Sequence, residues 1–590
     1  MDDKINKSQC ILIIFAFLCL ALLIFIIVLY FKIILPRKMP TLIIQKNDVA
    51  VRGSVLTQDN YSLARSKKLY KLGFNPRSID PDKKELFVKL LSIYSDIPES
   101  TIQEALKQPK YRILSYAISP NTAANLKTLN AKLLTYNVFQ DYEDESGKLI
   151  QKMGLSVEVS GVDREYPYEN LLEPIVGYTQ KDQNGDMTIP KGVGGIEKFQ
   201  ETTLRAISDG FITGKRDIGF NVIYNKISQS QKRLDGFDVR LGISLRLQQQ
   251  IEEILDSVFQ QYQSEEIIAG ILNPTNGQIL ALATTNRFNP KAIKKEQYPN
   301  LNIKAIESFE PGSTIKPLVY SLLIEKKLIN PLAHIDLNNG YYRVGKYMIR
   351  DDVIMPKNPT IEDVLLRSSN VGMVKLSMLL SGKEFYDGLR DFGLAQLTGI
   401  DLPYEKDGII PSIRELSQES SAAKASASYG YKIRVTFMQL LRSYGVFLNG
   451  GFLVTPHITQ NFIAPDGQIY VPTLPQPKQV LSSLSAKKIE ELLVRIVENG
   501  TGKAAKVEGI IVGGKTGTAR VATTSGYGET YTGSFFGFAK DRENTYIIGV
   551  VAFGSHGKHY YGGQTAAPIF KHIVEAMVTQ GYLKLQKDKK

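Results

Sequence analysis

The segment Cys10–Phe31, CILIIFAFLCLALLIFIIVLYF, carries no charge, no glycine and no proline. An uninterrupted apolar run of this length crosses the hydrocarbon layer of a bilayer as a helix. It exceeds the apolar part of a cleavable signal peptide, and no small-residue cleavage pattern follows it. The segment reads as a retained single-pass anchor. Lys4 and Lys7 precede it, and Lys32, Arg37 and Lys38 follow it. That near balance does not fix orientation by the positive-inside rule, but the short head fits a signal anchor that exports the long portion behind it. Both cysteines, Cys10 and Cys19, fall in the anchor, so the remainder can form no disulfide and no thiolate metal site.

A chain of 590 residues is too long for one core, so two or more domains are expected. The net charge is +13, yet apart from the tail KLQKDKK the basic residues are scattered. That argues against a nucleic-acid face, which needs clustering. It suits a solvated surface in anionic surroundings such as phospholipid or wall polymer.

After the anchor, PRKMP reads as a short stiff exit. From about Thr41 to Asp235 short strands mix with polar helices; the alternation in GLSVEVS is a strand signal. The texture changes near Gly236. The pattern VRLGISLRLQQQIEEILDSVFQQY predicts a strand over Val239–Leu245, then a helix with Leu247, Ile251, Leu255 and Phe259 on one face. The stretch IIAGILNPTNGQILALATT predicts two strands joined at the Asn276-Gly277 turn. Strand, helix and hairpin in this order predict an antiparallel sheet with helices packed against it. The expected divisions are a tail over 1–9, an anchor over 10–35, a mixed α/β domain over 40–235 and a second domain over 236–582.

Gly509–Thr516 satisfies the phosphate-loop pattern G-x-x-x-x-G-K-[ST]. Its variable positions, Ile510, Ile511, Val512 and Gly513, favour an extended strand over a cradle of amides. The following GTARVATTSGYGETYTG has no helical period, so no helix N-terminus is available for a phosphate. A strand carrying Lys515-Thr516-Gly517-Thr518 is the expectation instead. Elsewhere, FEPGSTIKPLVYSLLIEKKL places Ser313 at a helix start, with Pro317 in the first turn and Leu318, Leu322 and Leu323 on an apolar stripe. Lys316 lies about one turn further on the same face. A serine hydroxyl needs an adjacent base, and a lysine serves if burial or a neighbouring cation lowers its pKa; Lys515 is a candidate for that cation. The stretch LLRSSNVGM adds Ser368, suited to relay a proton, and Asn370, suited to hold a substrate amide. Each triplet alone is weak. Their order and context together are strong, and this set is the motif combination of penicillin-binding proteins and class A β-lactamases. The histidines form no H-E-x-x-H pair, and there is no G-x-S-x-G elbow; His556 and His559 sit in a polar stretch that reads as an exposed loop.

With these residues in place, the chain resembles the class B penicillin-binding proteins, most closely the septal, FtsI-like division transpeptidases. VRGSVLTQDNYSLA resembles the opening motif of their pedestal domain through Arg52 and Gly53, departing from it at Gln58-Asp59-Asn60-Tyr61. REYPYENLLEPIVGY and GVGGIEKFQETTL, with Arg164, Tyr166, Pro167, Gly195 and Glu197, resemble later pedestal motifs. SYGYKIRVTFMQL, GSFFGFAK and SHGKHYYGGQTAAPIF resemble the transpeptidase domain. The resemblance implies an α+β fold: a transmembrane helix, a mixed pedestal (dimerisation) domain, and a transpeptidase domain with a central antiparallel sheet flanked by helices. It implies Ser313 as nucleophile, Lys316 as acylation base, Ser368 as proton relay and Asn370 as amide binder. Lys515, Thr516, Gly517 and Thr518 would receive the substrate's terminal carboxylate, and the backbone N–H groups of Ser313 and Thr518 would form the oxyanion hole. No cofactor or metal is implied. The implied partners are peptidoglycan stem peptides (a D-Ala-D-Ala donor and an amine acceptor), β-lactams, the membrane, an FtsW-type glycan polymerase and other divisome proteins. The implied location is the bacterial cytoplasmic membrane with the catalytic domain outside. The alternatives are an elongation-type transpeptidase, a D,D-carboxypeptidase or β-lactamase on the same site, and a non-catalytic β-lactam-binding scaffold.

Overall fold

Our computed structural model describes residues 2–34, 43–143, 147, 149–184, 187–217, 222–294, 296–297, 301–352, 355–418, 422–523, 526–556 and 560–586. The PRKMP segment and His559 lie outside the described residues. The apolar run forms one helix, Asp2–Ile34. Within Lys7–Ile33 its most apolar 18-residue window has a mean hydropathy of 3.6 and no protein covering it. Its length and composition are those of a single membrane span.

The chain divides into two compact units, Met1–Ala50 with Ile207–Leu234, and Val51–Ala206 with Asp235–Lys590. The first contains, besides the apolar helix, a three-stranded antiparallel sheet of Ile43–Asp48, Gly210–Lys215 and Gln229–Gln231. The second is α+β and is organised by two sheets.

One sheet of this larger unit has nine strands, with Ser62–Phe74 beside Ser156–Glu165 near its middle. The strand predicted over Val239–Leu245 runs over Asp238–Leu241. It pairs parallel to Val55–Leu56 on one side and antiparallel to Thr459–Ile463 on the other. The strand stops early because the helix behind it begins at once. Ser244 is the N-cap of Leu245–Tyr262, and the Asp59 carboxylate accepts from the Leu245 N–H at 3.2 Å. A carboxylate at a helix N-terminus is favoured by the unpaired amides there. Leu247, Ile251 and Leu255 are buried as expected, and Phe259 is half-buried.

The other sheet has five antiparallel strands in the order Ile279–Thr284, Glu266–Leu272, Thr545–Ser555, Gly526–Lys540, Ile511–Thr523. Both faces are covered, so its strands are apolar on both sides rather than alternating with polar residues. Ile267, Ala269, Ile271, Ile548 and Val550 share one core with the helices Leu245–Tyr262 and Ala566–Thr579. Ile268, Leu272, Ile547 and Val551 join the opposite core with Leu318, Phe437 and Tyr444. The predicted hairpin is present, but its turn is longer than an Asn-Gly pair. Asn273 N–H and Gly277 N–H donate to Gln278 O and Asn273 O, at 2.9 Å each, closing a loop over Asn273–Gln278. Pro274 lacks a ladder donor, and Asn273 Oδ1 accepts from Thr275 N–H at 2.9 Å, which holds that loop open.

The pedestal-like residues picked out in the sequence meet in one buried ion cluster. Glu197 accepts from Arg52 Nε at 2.7 Å and from Arg164 Nε at 2.6 Å, and all three side chains are at most 2% exposed. Arg52 also reaches Glu201 at 2.7 Å and the Glu197 carbonyl at 2.7 Å. Removing one member of such a cluster strands the others as buried charges. Glu197→Gln is expected to destabilise the protein by about 3–5 kcal/mol, read as a lowered thermal unfolding midpoint of the detergent-solubilised chain; an unchanged midpoint would contradict it.

Candidate active site

The sequence from Pro311 to Glu325 does not start one helix at Ser313. Gly312–Ile315 form a 3-10 turn that runs into the α-helix Lys316–Glu325, with Pro317 in the first turn. The expected apolar stripe is in fact a helix buried on every side from Lys316 to Ile324. Tyr444 Oη donates to Thr314 O at 2.7 Å and pins the turn from below. Ser313 is half-buried, and its hydroxyl has no hydrogen-bond partner among the described residues.

Two glycines let this turn touch the edge strand. Gly312 has φ +55°, and a Cβ there would fall 2.9 Å from Thr518 O. At Gly517 a Cβ would fall 2.8 Å from Thr314 Cγ2 and 2.9 Å from Pro311 O. Left-handed backbone and close approach are both conditions that glycine meets without strain. The segment read as a strand is one: Ile511–Thr523 continues through Lys515–Thr518 and, among the described residues, pairs only with Gly526–Lys540 at the margin of the sheet. The phosphate-loop reading is thereby excluded, since no helix opens at Lys515.

Lys316 is fully buried. Its ammonium donates to Ser368 O at 2.7 Å, Asn370 Oδ1 at 2.7 Å and Ser368 Oγ at 3.2 Å. Ser368 holds a left-handed backbone, φ +62°, a sparsely populated state for a non-glycine residue that needs support from its surroundings. Ser368 and Asn370 do not project from an open loop. Ser369 is the N-cap of a helix that begins at Asn370 and runs to Ser377, its hydroxyl accepting from Gly372 N–H at 2.8 Å. Asn370 Nδ2 donates to Arg350 O at 3.0 Å, so both ends of this amide are engaged within the protein.

The residue that the sequence reasoning missed is Asp351. Its Oδ1 accepts from Asn370 N–H at 2.6 Å and Val371 N–H at 2.9 Å, and its Oδ2 accepts from Ser369 Oγ at 2.8 Å. One carboxylate thus ties down the first turn of the helix that carries Asn370. No local pattern announces it, because a carboxylate eighteen residues from Ser369 is tied to it only by the fold.

Burial lowers the Lys316 pKa to about 7, against the opposing pull of Asp351 and Asp352. Burial, and then the nearby Lys316, push Lys515 well below its usual range. The lowering of Lys316 follows from its removal from water, and Lys515 is lowered first by the same cause. Lys515 Nζ donates to Thr516 O at 3.0 Å and to Thr516 Oγ1 at 3.4 Å, and Thr516 Oγ1 donates to Thr501 Oγ1 at 3.0 Å. Thr518 Oγ1 accepts from Gly562 N–H at 3.1 Å, which leaves its own proton to donate. His556 is exposed. Among the described residues no three His, Cys, Asp or Glu side chains converge as a metal site. The convergence of a free hydroxyl, a neutralisable amine and an edge strand suits acyl transfer to and from an extended peptide.

Residues 267–575 match the family model of the penicillin binding protein transpeptidase domain. The chain belongs to this family. Residues 47–241 match the penicillin-binding protein dimerisation domain, so this is a class B penicillin-binding protein, a peptidoglycan D,D-transpeptidase. A probable peptidoglycan D,D-transpeptidase PenA of Neisseria meningitidis is 26% identical over 89% of this chain and 84% of its own. The peptidoglycan D,D-transpeptidase FtsI of Buchnera aphidicola is 25% identical over 89% and 86%. Among solved structures, penicillin binding protein 2X of Streptococcus thermophilus shares the fold with a TM-score of 0.75 at 19% identity, over 92% of this chain and 83% of its own. Penicillin binding protein 3 of Mycobacterium tuberculosis does so at 0.65 and 22%, over 92% and 98%.

The Lys316 environment sets a pH dependence. If the free amine is the base, the second-order rate of acylation by penicillin rises with pH through about 7. Asp351→Asn keeps an acceptor but removes a charge that favours the ammonium, so that limb moves to lower pH. Asp351→Ala also frees the Ser369–Asn370 turn and slows acylation by about tenfold, the equivalent of about 1.4 kcal/mol. A limb that stays put in Asp351→Asn would show that this carboxylate does not act on Lys316.

Proposed function

We propose that Ser313 is the acyl-carrying nucleophile of a septal D,D-transpeptidase. The observation that carries the reading is the fully buried Lys316 amine. It lies one turn from Ser313, is gathered by Ser368 and Asn370, and has its pKa brought to about 7. In the proposed sequence the Ser313 hydroxyl attacks the carbonyl of the penultimate D-alanine of a stem peptide, and its proton passes to Lys316. The C–N bond breaks, and the proton returns through Ser368 to the departing D-alanine. The amine of a second stem then attacks the ester, forming the crosslink and restoring the serine. Asn370 orients Lys316 through its Oδ1, and its second Nδ2 proton is left to meet a substrate amide. The N–H groups of Ser313 and Thr518 hold the oxyanion; loss of one such donor typically costs about a hundredfold or more in rate. Lys515, Thr516 and Thr518 receive the terminal carboxylate, whose charge favours the Lys515 ammonium that burial disfavours. Gly517 lets the strand lie close to the turn, and the margin of Ile511–Thr523 pairs with the extended donor.

In this reading residues 1–9 are a cytoplasmic tail, 10–35 the anchor, 40–235 the pedestal and 236–582 the transpeptidase domain. The catalytic portion lies outside the cytoplasmic membrane. A septal role is supported by likeness to a relative named FtsI and by the spacing of the pedestal motifs. The absence of a recognisable glycosyltransferase pattern makes a membrane-embedded glycan polymerase of the FtsW kind, with other divisome proteins, the fitting partner.

Fluorescent penicillin should label the full-length chain, mass spectrometry should place the adduct on Ser313, and Ser313→Ala should abolish it. With two stem peptides the product should be a crosslinked dimer; D-alanine release without dimer would indicate a carboxypeptidase. Lys515→Ala should weaken kcat/KM for donors ending in a free carboxylate by about ten- to hundredfold, the range of a charge-assisted hydrogen bond. Depletion should yield filaments with blocked septa, whereas rounded cells would assign the enzyme to elongation.

A further inference from the structure

We propose that the turn Ile223–Ser228 is a lipid-facing foot that docks the smaller unit onto an anionic phospholipid surface. The argument starts from strand direction. Only eight residues separate Ile34, the last residue of the apolar helix, from Ile43, the first of the strand Ile43–Asp48. The start of that strand is therefore tethered within about 30 Å of the end of the membrane span. The strand runs from that tethered end to Asp48. Its antiparallel neighbour, Gly210–Lys215, brings the chain back, with Lys215 opposite Ile43. The chain beyond Lys215 thus leaves the sheet at the same end as Ile43, the end tethered to the membrane span.

The turn placed there is built the opposite way round from an ordinary surface loop. Its polar groups are used internally. Asn225 N–H donates to Ser228 Oγ at 2.8 Å, Ile227 N–H donates to Asn225 Oδ1 at 3.0 Å, and Ser228 Oγ donates to Ile223 O at 2.9 Å. Ile223 N–H donates back to Lys215 O at 2.7 Å, which fixes the turn to the strand. The apolar side chains are left outside: Ile223 is 48% exposed, Tyr224 72% and Ile227 62%. Between 215 and 228 the chain carries Lys215, Arg216 and Lys226 against one carboxylate, Asp217. An aromatic and two aliphatic residues flanked by cations are the composition of an interfacial anchor, in which apolar groups enter the headgroup layer and lysines meet anionic lipid. Scattered exposed apolar residues need no explanation. Three within five residues, on a turn with internal hydrogen bonds at the anchor end, do.

The chain offers a clean test because its cysteines lie only in the membrane helix. In a Cys10→Ala, Cys19→Ala background, Tyr224→Cys carries an environment-sensitive fluorophore. Gln231→Cys, opposite Phe211 at the far end of the same sheet, carries it as the control. The full-length protein is reconstituted into vesicles of phosphatidylcholine with or without phosphatidylglycerol, and penicillin labelling verifies that each variant is folded. The expected result is blue-shifted emission and quenching by spin-labelled lipid at position 224 in phosphatidylglycerol vesicles, with neither at 231. Lys215→Gln and Lys226→Gln should each shift the docked-to-undocked ratio by about fivefold, the equivalent of about 1 kcal/mol per lysine at a membrane surface. A 224 label as water-exposed as the 231 label overturns the proposal. Equal quenching in both lipids overturns the choice of an anionic surface. Protection that appears only when a second membrane protein is co-reconstituted overturns lipid docking and assigns the turn to that protein.

Discussion

Removing the Lys316 amine from water is the constraint on which the rest of the site depends. An ammonium without hydration is held only by acceptors that replace its water, and three oxygens from two residues of a distant segment do so. The same burial brings the amine to about 7, near the pH at which a base is most useful. Stability and reactivity are therefore set by one local arrangement. Too few acceptors would expel the lysine into solvent, and too many carboxylates would keep it protonated. The structure sits between these limits. The carboxylate whose charge acts most on Lys316, Asp351, commits its lone pairs to the backbone of Asn370 and Val371 and to Ser369. Its charge reaches Lys316 only as a through-space pull.

That arrangement requires close backbone contact between parts remote in sequence, and small residues permit it. The turn at Ser313 and the strand at Thr518 lie closer than a side chain on Gly312 or Gly517 would allow. Behind the turn a helix buried on all sides gives it no freedom to withdraw. Ahead of it the strand is fixed on one side by its ladder to Gly526–Lys540 and has no partner strand on the other among the described residues. An edge of that kind is a hazard in most proteins; in the proposed function it is where the extended donor pairs.

Much of this was legible in the sequence, for identifiable reasons. Ser313, Lys316, Ser368, Asn370 and Lys515 could be picked out because reactive residue types stood at short, ordered spacings. The run of β-branched residues before Lys515 separated strand from phosphate loop. The apolar span needed only its length. What escaped was whatever depended on tertiary contact. Asp351 serves residues eighteen to twenty positions away. Asp59 caps a helix from another part of the chain, which is why the strand predicted to Leu245 ends at Leu241. The 3-10 turn at Gly312–Ile315 follows from contact with Thr518, not from propensity. The lowered pKa values of Lys316 and Lys515 depend on burial, which no spacing reveals. Arg52, Arg164 and Glu197 were marked by resemblance, but nothing local says that one carboxylate joins both guanidinium groups.

The catalytic core is not merely attached to the part that precedes it. Asp238–Leu241 is hydrogen-bonded to Val55–Leu56 and to Thr459–Ile463, so one sheet runs through both. Beside it lies a second, polar joint. Leu172 N–H donates to Glu252 at 3.1 Å, Phe288 N–H donates to Glu173 at 3.2 Å, and Arg287 meets Glu252 at 3.0 Å. Burial raises Glu173 to about 8 and Glu252 to about 7, so these carboxyls are costly to keep charged in place. An apolar joint of the same size would be easier to stabilise and easier to slide, since apolar contact is non-directional. Directional bonds from buried carboxyls admit one register only. The same logic recurs at Glu197, whose oxygens take donors from two separate segments, and at Asp351 and Asp59, whose oxygens are each committed to the start of a helix elsewhere in the chain. Buried apolar surface holds this protein together, and a few such carboxylates decide where its pieces stop.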